Sequence, residues 1–180
     1  MKIFDVSPER MRAIAEILVD AFRDTGSPAW PTIEDATAEV MESLEPGRIS
    51  RIAIDAGDAA VGWIGGIPEY EGSVWELHPL VVRRDRQRHG VGRLLVADFE
   101  NEVAKRGGHT ILVGTDDENC RTTLGGVDLY PDVLEKLRAI ENRASHPFEF
   151  YRKLGYEVVG VIPDANGFGK PDILMAKRIG

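Results

Sequence analysis

Two glycines stand at the start of a predicted helix in the segment DRQRHGVGRLL, residues 85–95. A glycine inside a helix costs about 1 kcal/mol relative to alanine, so Gly90 and Gly92 need a structural reason. Without a Cβ atom the backbone can approach a bulky anion, and the free N–H groups and positive dipole end of the helix would point at it. The pattern therefore predicts a phosphate-binding turn, and a flexible entry turn is the alternative interpretation.

The segments on either side of this turn predict a strand and a helix. SVWELHPLVV, residues 73–82, has strand character, but Pro79 cannot donate a hydrogen bond to a neighbouring strand. We therefore expect the strand to bulge, splay or lie at an edge near Pro79. After the turn, apolar residues recur at helical spacing, and an RGG sequence ends the helix at 106–108. These apolar residues are Val91, Leu94, Leu95, Phe99 and Val103.

The remaining segments complete a mixed α/β pattern. A first helix is predicted over SPERMRAIAEILVDAFRD, residues 7–24, with Ser7 as its cap, and a second helix begins after Thr32. An antiparallel hairpin about the turn DAGD follows them. Beyond the glycine turn we expect a buried strand, a helix within residues 125–145, a short helix and a closing pair of strands. The predicted order is helices, three strands, helix, strand, helix and two strands, in a single domain spanning residues 1–180.

Composition excludes several classes of protein. Of the 180 residues, 43% are hydrophobic, which suffices for a core. No apolar run approaches the ~20 residues that span a bilayer, and the N-terminus lacks a secretion signal, so we expect a cytoplasmic protein with no membrane partner. A net charge of −8 argues against nucleic acid and favours a cationic partner. The only cysteine, Cys120, cannot form an internal disulfide, and no zinc-type spacing occurs, which predicts no metal.

Three ordered blocks resemble a known superfamily. A strand ending ELHPLVV, the RQRHGVG turn opening a helix, and a helix ending FYRKLGY before a terminal hairpin are similar to the GCN5-related N-acetyltransferases. The resemblance implies an α/β (α+β) fold, with a mixed, mostly antiparallel central sheet flanked by helices and a splayed strand pair for coenzyme A. It also implies that Gln87, Gly90 and Gly92 belong to the loop whose backbone amides bind the diphosphate of the co-substrate, acetyl-coenzyme A. The residues implied to bind this cofactor are Leu80, Val81, Val82, Gln87, Arg88, His89, Gly90, Val91, Gly92 and Arg93.

Four blocks from the middle of the chain to its end are more specific. WELHPLVV, GTDDENCRTTL, HPFEFYRKLGY and VIPDANGFGKPDILMAK resemble aminoglycoside 6'-N-acetyltransferases, an antibiotic-resistance branch of the superfamily. The resemblance implies direct transfer of an acetyl group from acetyl-coenzyme A to the 6'-amine of an aminoglycoside, by a homodimer. Two alternatives stay open. One is an acetyltransferase for another primary amine, such as a polyamine or a protein N-terminus, and the other is a coenzyme A-binding module without turnover.

The resemblance also implies catalytic residues. Glu76 would attract the protonated amine and then accept its proton, directly or through water. His78 lies two residues along the same strand and would face the same side, so it would either supplement the base or only shape the site. The Leu80 N–H, beside Pro79, would polarise the thioester carbonyl. Tyr151 matches the tyrosine that neutralises the leaving thiolate, although the aromatic sequence around it is also typical of core packing.

Acceptor binding is predicted at several places. Asp116, Asp117 and Glu118 follow a strand, where mixed α/β folds place ligand contacts, and their adjacent carboxylates would bind a polycation. A solvated acidic turn is the alternative interpretation. Trp30, between the first two helices, and Tyr70 would form walls of the acceptor pocket. Arginines beside the glycine turn would hold phosphates or lie in solvent, and they are Arg83, Arg84, Arg86 and Arg88.

Overall fold

The computed structural model describes residues 1–23 and 29–179, and these residues divide into two units. The first unit contains Met1–Ile111 and the C-terminal residues from Arg178, and the second contains Leu112–Lys177. The single domain expected for the whole chain stays a prediction. Within the described residues, no helix has both the length and the apolar character needed to cross a membrane.

In the described part of the chain, seven strands form one mostly antiparallel sheet. They are β1 (Lys2–Asp5), β2 (Ile49–Ile54), β3 (Ala60–Glu69), β4 (Val74–Val82), β5 (Thr110–Asp116), β6 (Glu157–Ile162) and β7 (Asp172–Arg178). Their order across the sheet is β1, β2, β3, β4, β5, β7, β6. β1 pairs with β2, β2 with β3, β3 with β4 and β6 with β7, all antiparallel. The expected fold class is confirmed, while the splay of one strand pair stays a prediction.

The α-helices of the described residues are α1 (Met11–Phe22), α2 (Ile33–Glu42), α3 (Val91–Lys105), α4 (Val133–Arg138) and α5 (Phe148–Arg152). α1 begins later than predicted, because Pro8–Arg10 first forms a 3-10 turn, before which Ser7 makes no capping side-chain hydrogen bond. α2 begins directly after Thr32, as predicted. The Thr32 side chain caps the helix by accepting a hydrogen bond from the Asp35 N–H at 3.1 Å. Asp24, the last residue of the first predicted helix, lies outside the described residues.

The core of the first unit forms where its helices pack on its strands. Ile14 of α1, Val40 of α2 and Trp63 of β3 are buried in one cluster. Phe99 of α3 is also buried, and it lies over Gly66, where a Cβ atom would overlap the aromatic ring. The packing of α1, α2 and α3 against the strands holds α3 in place, and with it the turn that precedes α3.

The structure corrects two predictions about secondary structure. The sequence pattern does not predict β1, because KIFD is too short and too polar to show strand alternation. β1 forms by pairing with β2, where Lys2 lies opposite Ile54. The helix expected within residues 125–145 is reduced to the short α4, because two glycines and Pro131 interrupt the segment before it.

The irregularity expected in β4 takes the form of a bulge, as one of the predicted alternatives. The register between β3 and β4 shifts between Ile64 and Gly66, which leaves His78 and Pro79 together opposite Gly65. The peptide bond between His78 and Pro79 is cis. A Cβ atom on residue 65 would overlap the carbonyl oxygen of His78, so the close approach of the two strands requires glycine there.

Candidate active site

The N-terminus of α3 presents backbone N–H groups that the helical hydrogen bonds do not use. Gly90 caps the helix with a φ of +84°, a left-handed conformation that favours glycine. The first i→i−4 hydrogen bond runs from the Leu94 N–H to the Gly90 carbonyl at 3.1 Å, and no described side chain caps the helix. The N–H groups of Val91, Gly92 and Arg93 therefore precede the helical ladder and suit an anion.

The turn before α3 is shaped by its own polar groups. Gln87 Nε2 donates to the Val82 carbonyl at 3.1 Å, and His89 Nδ1 donates to the Gln87 carbonyl at 2.7 Å. A Cβ atom on Gly90 would meet nothing within 4 Å, so glycine is needed there for its φ and not because of crowding. In the motif from Gln87 to Gly92, side-chain hydrogen bonds thus stabilise the turn, and the start of the helix is left exposed.

Most of the arginines beside this turn are paired with aspartates. Arg83 and Arg86 donate to the carboxylates of Asp85 at 2.6 Å and Asp55 at 3.0 Å, respectively. Arg84 donates to the backbone carbonyl of Asp20 at 2.9 Å. Arg83 also holds the pKa of the Asp85 carboxyl below its ordinary value. Arg88 and Arg93 have exposed side chains. These two are therefore better placed to meet a phosphate than the paired arginines.

The half-buried face of β4 carries three of the residues expected to act in catalysis. Glu76, His78 and Leu80 lie on this face, whereas the alternate residues of the strand are buried, as the two-residue period of a strand predicts. Tyr70, expected as a wall of the acceptor pocket, follows β3 in a short turn and is 78% exposed. The role of Tyr70 as a wall of the acceptor pocket stays a prediction.

Glu39 of α2 joins this face of β4 to the segment between α1 and α2. Its Oε2 accepts a hydrogen bond from Trp30 Nε1 at 3.1 Å, and its Oε1 lies 3.9 Å from His78 Nε2. The Trp30 and His78 ring centroids are 5.8 Å apart, and Phe22 meets Trp30 edge-on. We call Phe22, Trp30, Glu39 and His78 the Trp30 cluster. Sequence reasoning does not find Glu39, because it is one of several acidic residues on α2.

The acidic segment of the second unit separates into residues with different roles. Asp116 is exposed and Glu118 is half-buried. Asp117 is only 1% exposed, and its carboxylate accepts hydrogen bonds from the Arg121 N–H at 2.7 Å and from the N–H and hydroxyl of Thr122 at 2.9 and 2.7 Å. We therefore correct the prediction for Asp117, whose buried carboxylate holds this loop together. Asp116 and Glu118 remain the predicted contacts for a cation.

Tyr151 lies in α5 and is 6% exposed. Its ring meets those of Phe150 and Tyr156 edge-on, with centroid distances of 5.1 and 5.5 Å. Burial raises the pKa of Tyr151 above its ordinary value, so its hydroxyl stays protonated at neutral pH. The residue thus packs among aromatic rings and also retains a proton that it can share.

His146 is a second residue of this region that sequence reasoning does not single out. It is 1% exposed and lies between β5 and α5 in the chain. Its Nδ1 accepts a hydrogen bond from the Phe148 N–H at 3.2 Å, and its Nε2 donates to the Asp116 carbonyl at 3.0 Å. Burial lowers the pKa of His146. The only sequence signal is a histidine directly before the proline that opens a short helix.

Comparison with family models identifies the family. A model described as the acetyltransferase (GNAT) family matches residues 11–123, which include α1, the bulged strand β4 and the glycine turn before α3. The chain belongs to the GNAT acetyltransferase family. The family recognised from the sequence is thereby confirmed. No match is found among curated proteins.

Solved structures resemble this acetyltransferase over its full length. An aminoglycoside 6'-N-acetyltransferase complexed with coenzyme A is 43% identical, with a TM-score of 0.90, and covers 100% of this chain and 98% of its own. The aminoglycoside 6'-N-acetyltransferase from Enterococcus faecium is 43% identical over the same shares, with a TM-score of 0.88. An aminoglycoside 6'-acetyltransferase type Ii is 37% identical over the same shares, with a TM-score of 0.74.

The described side chains of the acetyltransferase also bear on metal binding. Within residues 1–23 and 29–179, no group of three or more His, Cys, Asp or Glu side chains is arranged to hold a metal ion. The described residues supply hydrogen-bond donors and carboxylates. In the first unit these are the open helix start and Glu76, and in the second unit they are Tyr151 and Asp116.

Proposed function

We propose that this acetyltransferase transfers the acetyl group of acetyl-coenzyme A to the 6'-amine of aminoglycosides. The observation that carries the proposal is the 43% identity, over the whole chain, to aminoglycoside 6'-N-acetyltransferases, one of them complexed with coenzyme A. Because the similarity covers 100% of this chain, it includes the acidic segment and α5 as well as the glycine turn. It therefore supports the acceptor as well as the acetyl donor.

The start of α3 is proposed to hold the diphosphate of acetyl-coenzyme A. The N–H groups of Val91, Gly92 and Arg93 face the N-terminal end of the helix, where the helix dipole favours a negative charge. The exposed Arg88 side chain would add a charged donor. The pantetheine arm would then follow the backbone of β4 at residues 80–82, in the gap expected from a splayed strand pair.

Acetyl transfer requires an uncharged amine and stabilisation of an oxyanion. Glu76 is proposed to accept a proton from the substrate ammonium, directly or through water, which frees the nitrogen lone pair. The nitrogen attacks the thioester carbon, and the Leu80 N–H donates a hydrogen bond to the carbonyl oxygen as it becomes negative. The carbon–sulfur bond then breaks while the nitrogen loses its second proton, which leaves a neutral amide. That second proton converts the departing thiolate of coenzyme A into the thiol, and Glu76 releases the first proton to solvent.

Tyr151 is proposed to stabilise this thiolate as a hydrogen-bond donor. A thiol has a pKa of about 8.5, and burial raises the pKa of Tyr151 above its own ordinary value. A thiolate is therefore too weak a base to keep the tyrosine proton. Tyr151 shares that proton with the sulfur while the bond breaks, and the proton released by the amine balances the reaction.

Each unit carries carboxylates that we propose attract cationic amines. In the first unit Glu76 would meet the reacting amine, and Glu39 would hold the Trp30 ring as a wall for the sugar. In the second unit Asp116 and Glu118 would attract cationic amines. The net charge of −8 would raise the local concentration of such a polycation.

The test is acetylation of a pair of aminoglycosides that differ only in an amine or a hydroxyl at the 6' position. We expect mass spectrometry to show one added acetyl group on the 6'-amino compound and none on its 6'-hydroxyl partner. Addition to both compounds would contradict the regiochemistry. No addition to any of several 6'-amino aminoglycosides would contradict the acceptor, and a higher kcat/KM for a polyamine or a peptide N-terminus would identify that amine instead. Thermal stabilisation by acetyl-coenzyme A without any turnover would indicate a binding module.

We also propose that the enzyme is a cytoplasmic homodimer. Acetyl-coenzyme A is made inside cells, which supports the location. Val159 and Ile162 of the edge strand β6 are exposed large apolar residues, and an exposed apolar edge strand favours pairing with another chain. Sedimentation of the purified protein tests the dimer, since a monomer at micromolar concentration would contradict it.

A further inference from the structure

His146 lies where three segments of the second unit meet. The Asn142 side chain donates to the His146 carbonyl at 3.2 Å and accepts from the His146 N–H at 3.0 Å, which fixes the histidine backbone. The imidazole connects the carbonyl of Asp116, at the end of β5, with the N–H of Phe148, at the start of α5. One buried ring therefore joins the acidic segment to the helix that carries Tyr151.

The two hydrogen bonds determine which ring nitrogen carries the hydrogen. The Phe148 N–H can only donate, so Nδ1 of His146 must offer its lone pair. The Asp116 carbonyl can only accept, so Nε2 must carry the hydrogen. Only the neutral ring protonated at Nε2 makes both bonds. A second proton, on Nδ1, would oppose the Phe148 N–H and break the connection to α5.

The position of α5 depends on contacts from outside the helix. It contains only five residues, which is too short for its own hydrogen bonds to stabilise it. Its first N–H groups also lack partners within the helix. His146 supplies a partner to one of them, and its ring packs near that of Phe148, with centroids 5.6 Å apart.

We propose that His146 is a positioning residue that holds Asp116 in place to bind the acceptor and α5 in place to present Tyr151. The inference rests on the proposed function, in which Asp116 meets a cationic amine and Tyr151 donates to the leaving sulfur. The two ring nitrogens of His146 have different roles. Nε2 donates to the backbone of the acidic segment, and Nδ1 accepts from the backbone of α5.

Charges around the ring act in opposite directions on its protonation. The carboxylates of Asp116 and Asp117 favour the charged ring, whereas burial and the Arg121 guanidinium disfavour it. Burial is the largest of these effects and lowers the pKa of His146. The neutral ring that the two hydrogen bonds require is thus the form present at neutral pH.

Two substitutions separate the two bonds. The amide nitrogen of glutamine can reach the position of Nε2, so His146→Gln keeps the donor to the Asp116 carbonyl and loses the acceptor for Phe148. The side-chain oxygen of asparagine can reach the position of Nδ1, so His146→Asn keeps that acceptor and loses the donor. We expect His146→Gln to lower kcat about 5- to 10-fold with little change in the KM of the amine, and His146→Asn to raise that KM by a similar factor with little change in kcat. His109→Gln, at an exposed histidine, is the matched control and should change neither constant.

Nuclear magnetic resonance provides a measurement that does not depend on turnover. The ¹⁵N signals of His146, assigned by their loss in His146→Gln, should show the neutral ring protonated at Nε2. Backbone amide shifts should change around α5 in His146→Gln and around Asp116 in His146→Asn. A ring protonated at Nδ1, or equal changes of kcat and KM in both variants, would overturn the proposal. If no amine is acetylated, the proposed function fails, and the amide shifts still decide whether His146 positions the two segments. If neither variant folds, the ¹⁵N signals of the unmodified protein decide.

Discussion

Gly65→Ala tests whether the bulge in β4 is required for activity. A Cβ atom on residue 65 would overlap the carbonyl oxygen of His78 and would lie 3.2 Å from its carbonyl carbon and 3.4 Å from a ring carbon of Trp63. The obstructing oxygen is backbone, so a side-chain rotation cannot relieve the overlap. The bulge must move, and with it the face that carries Glu76 and the Leu80 N–H.

Overpacking of this kind costs about 1–3 kcal/mol. For a protein of this size each 1 kcal/mol lowers the Tm by about 2–4 °C, so the Tm should fall by about 2–12 °C. A displacement of reacting groups by about 1 Å can slow an enzyme about 100-fold. We therefore expect the kcat of folded Gly65→Ala to be at least about ten-fold lower than that of the unmodified protein. Thermal unfolding and steady-state acetylation measure the two effects.

Gly160→Ala is the matched control, because it also adds one methyl group to a strand glycine. There the nearest atoms, both of Leu174, lie at 3.5 and 3.8 Å, which is ordinary van der Waals contact. We expect little change in Tm or in kcat for this variant. If Gly65→Ala behaved like Gly160→Ala in both assays, the close approach of His78 would not control the geometry of the reacting face.

Three further predictions follow from the site. Gly92→Val should weaken the binding of acetyl-coenzyme A, measured by calorimetry, whereas Glu76→Ala should mainly lower kcat; equal losses of cofactor affinity would contradict this division. Asp117→Asn should lower the Tm, because the new amide NH₂ group would face backbone N–H donors at a cost of about 1–3 kcal/mol. Asp116→Asn should instead raise the KM of the amine with little change in Tm. Because burial lowers the pKa of His146, this residue binds a proton more readily in the unfolded chain than in the folded protein. Its titration should therefore lower the free energy of unfolding as the pH drops below about 6.5. His146→Gln should reduce that fall in thermal scans, and an unchanged pH dependence would refute the assignment.

Local sequence patterns are enough to predict the parts of the site that are built from one element. The two-residue period places Glu76, His78 and Leu80 on one face of β4. A proline in a strand predicts an irregularity, which the structure shows to be a bulge, and paired glycines predict the open start of α3. In each case the information lies within about ten residues, because backbone geometry alone decides the outcome.

Residues that act through distant partners could not be predicted in this way. Glu39 matters because Trp30 and His78 reach it from different segments, and nothing on α2 marks that carboxylate among its neighbours. His146 gains its role from a carbonyl 30 residues earlier in the chain. Their partners are fixed by tertiary packing, which a single sequence does not reveal.

The alternation of buried and exposed residues at the end of β5 separates Asp116 from Asp117, although the two residues look like one acidic cluster in the sequence. β5 alternates between buried and exposed residues, with Thr115 buried and Asp116 exposed, and the alternation continues to the buried Asp117. Adjacent residues of a strand point to opposite faces, so the two carboxylates could not both meet one cation. Counting them as one acidic cluster overstates the charge offered to an acceptor. The inward carboxylate satisfies backbone donors and fixes the loop, and this fixed loop allows the outward carboxylate to present its charge from a defined position.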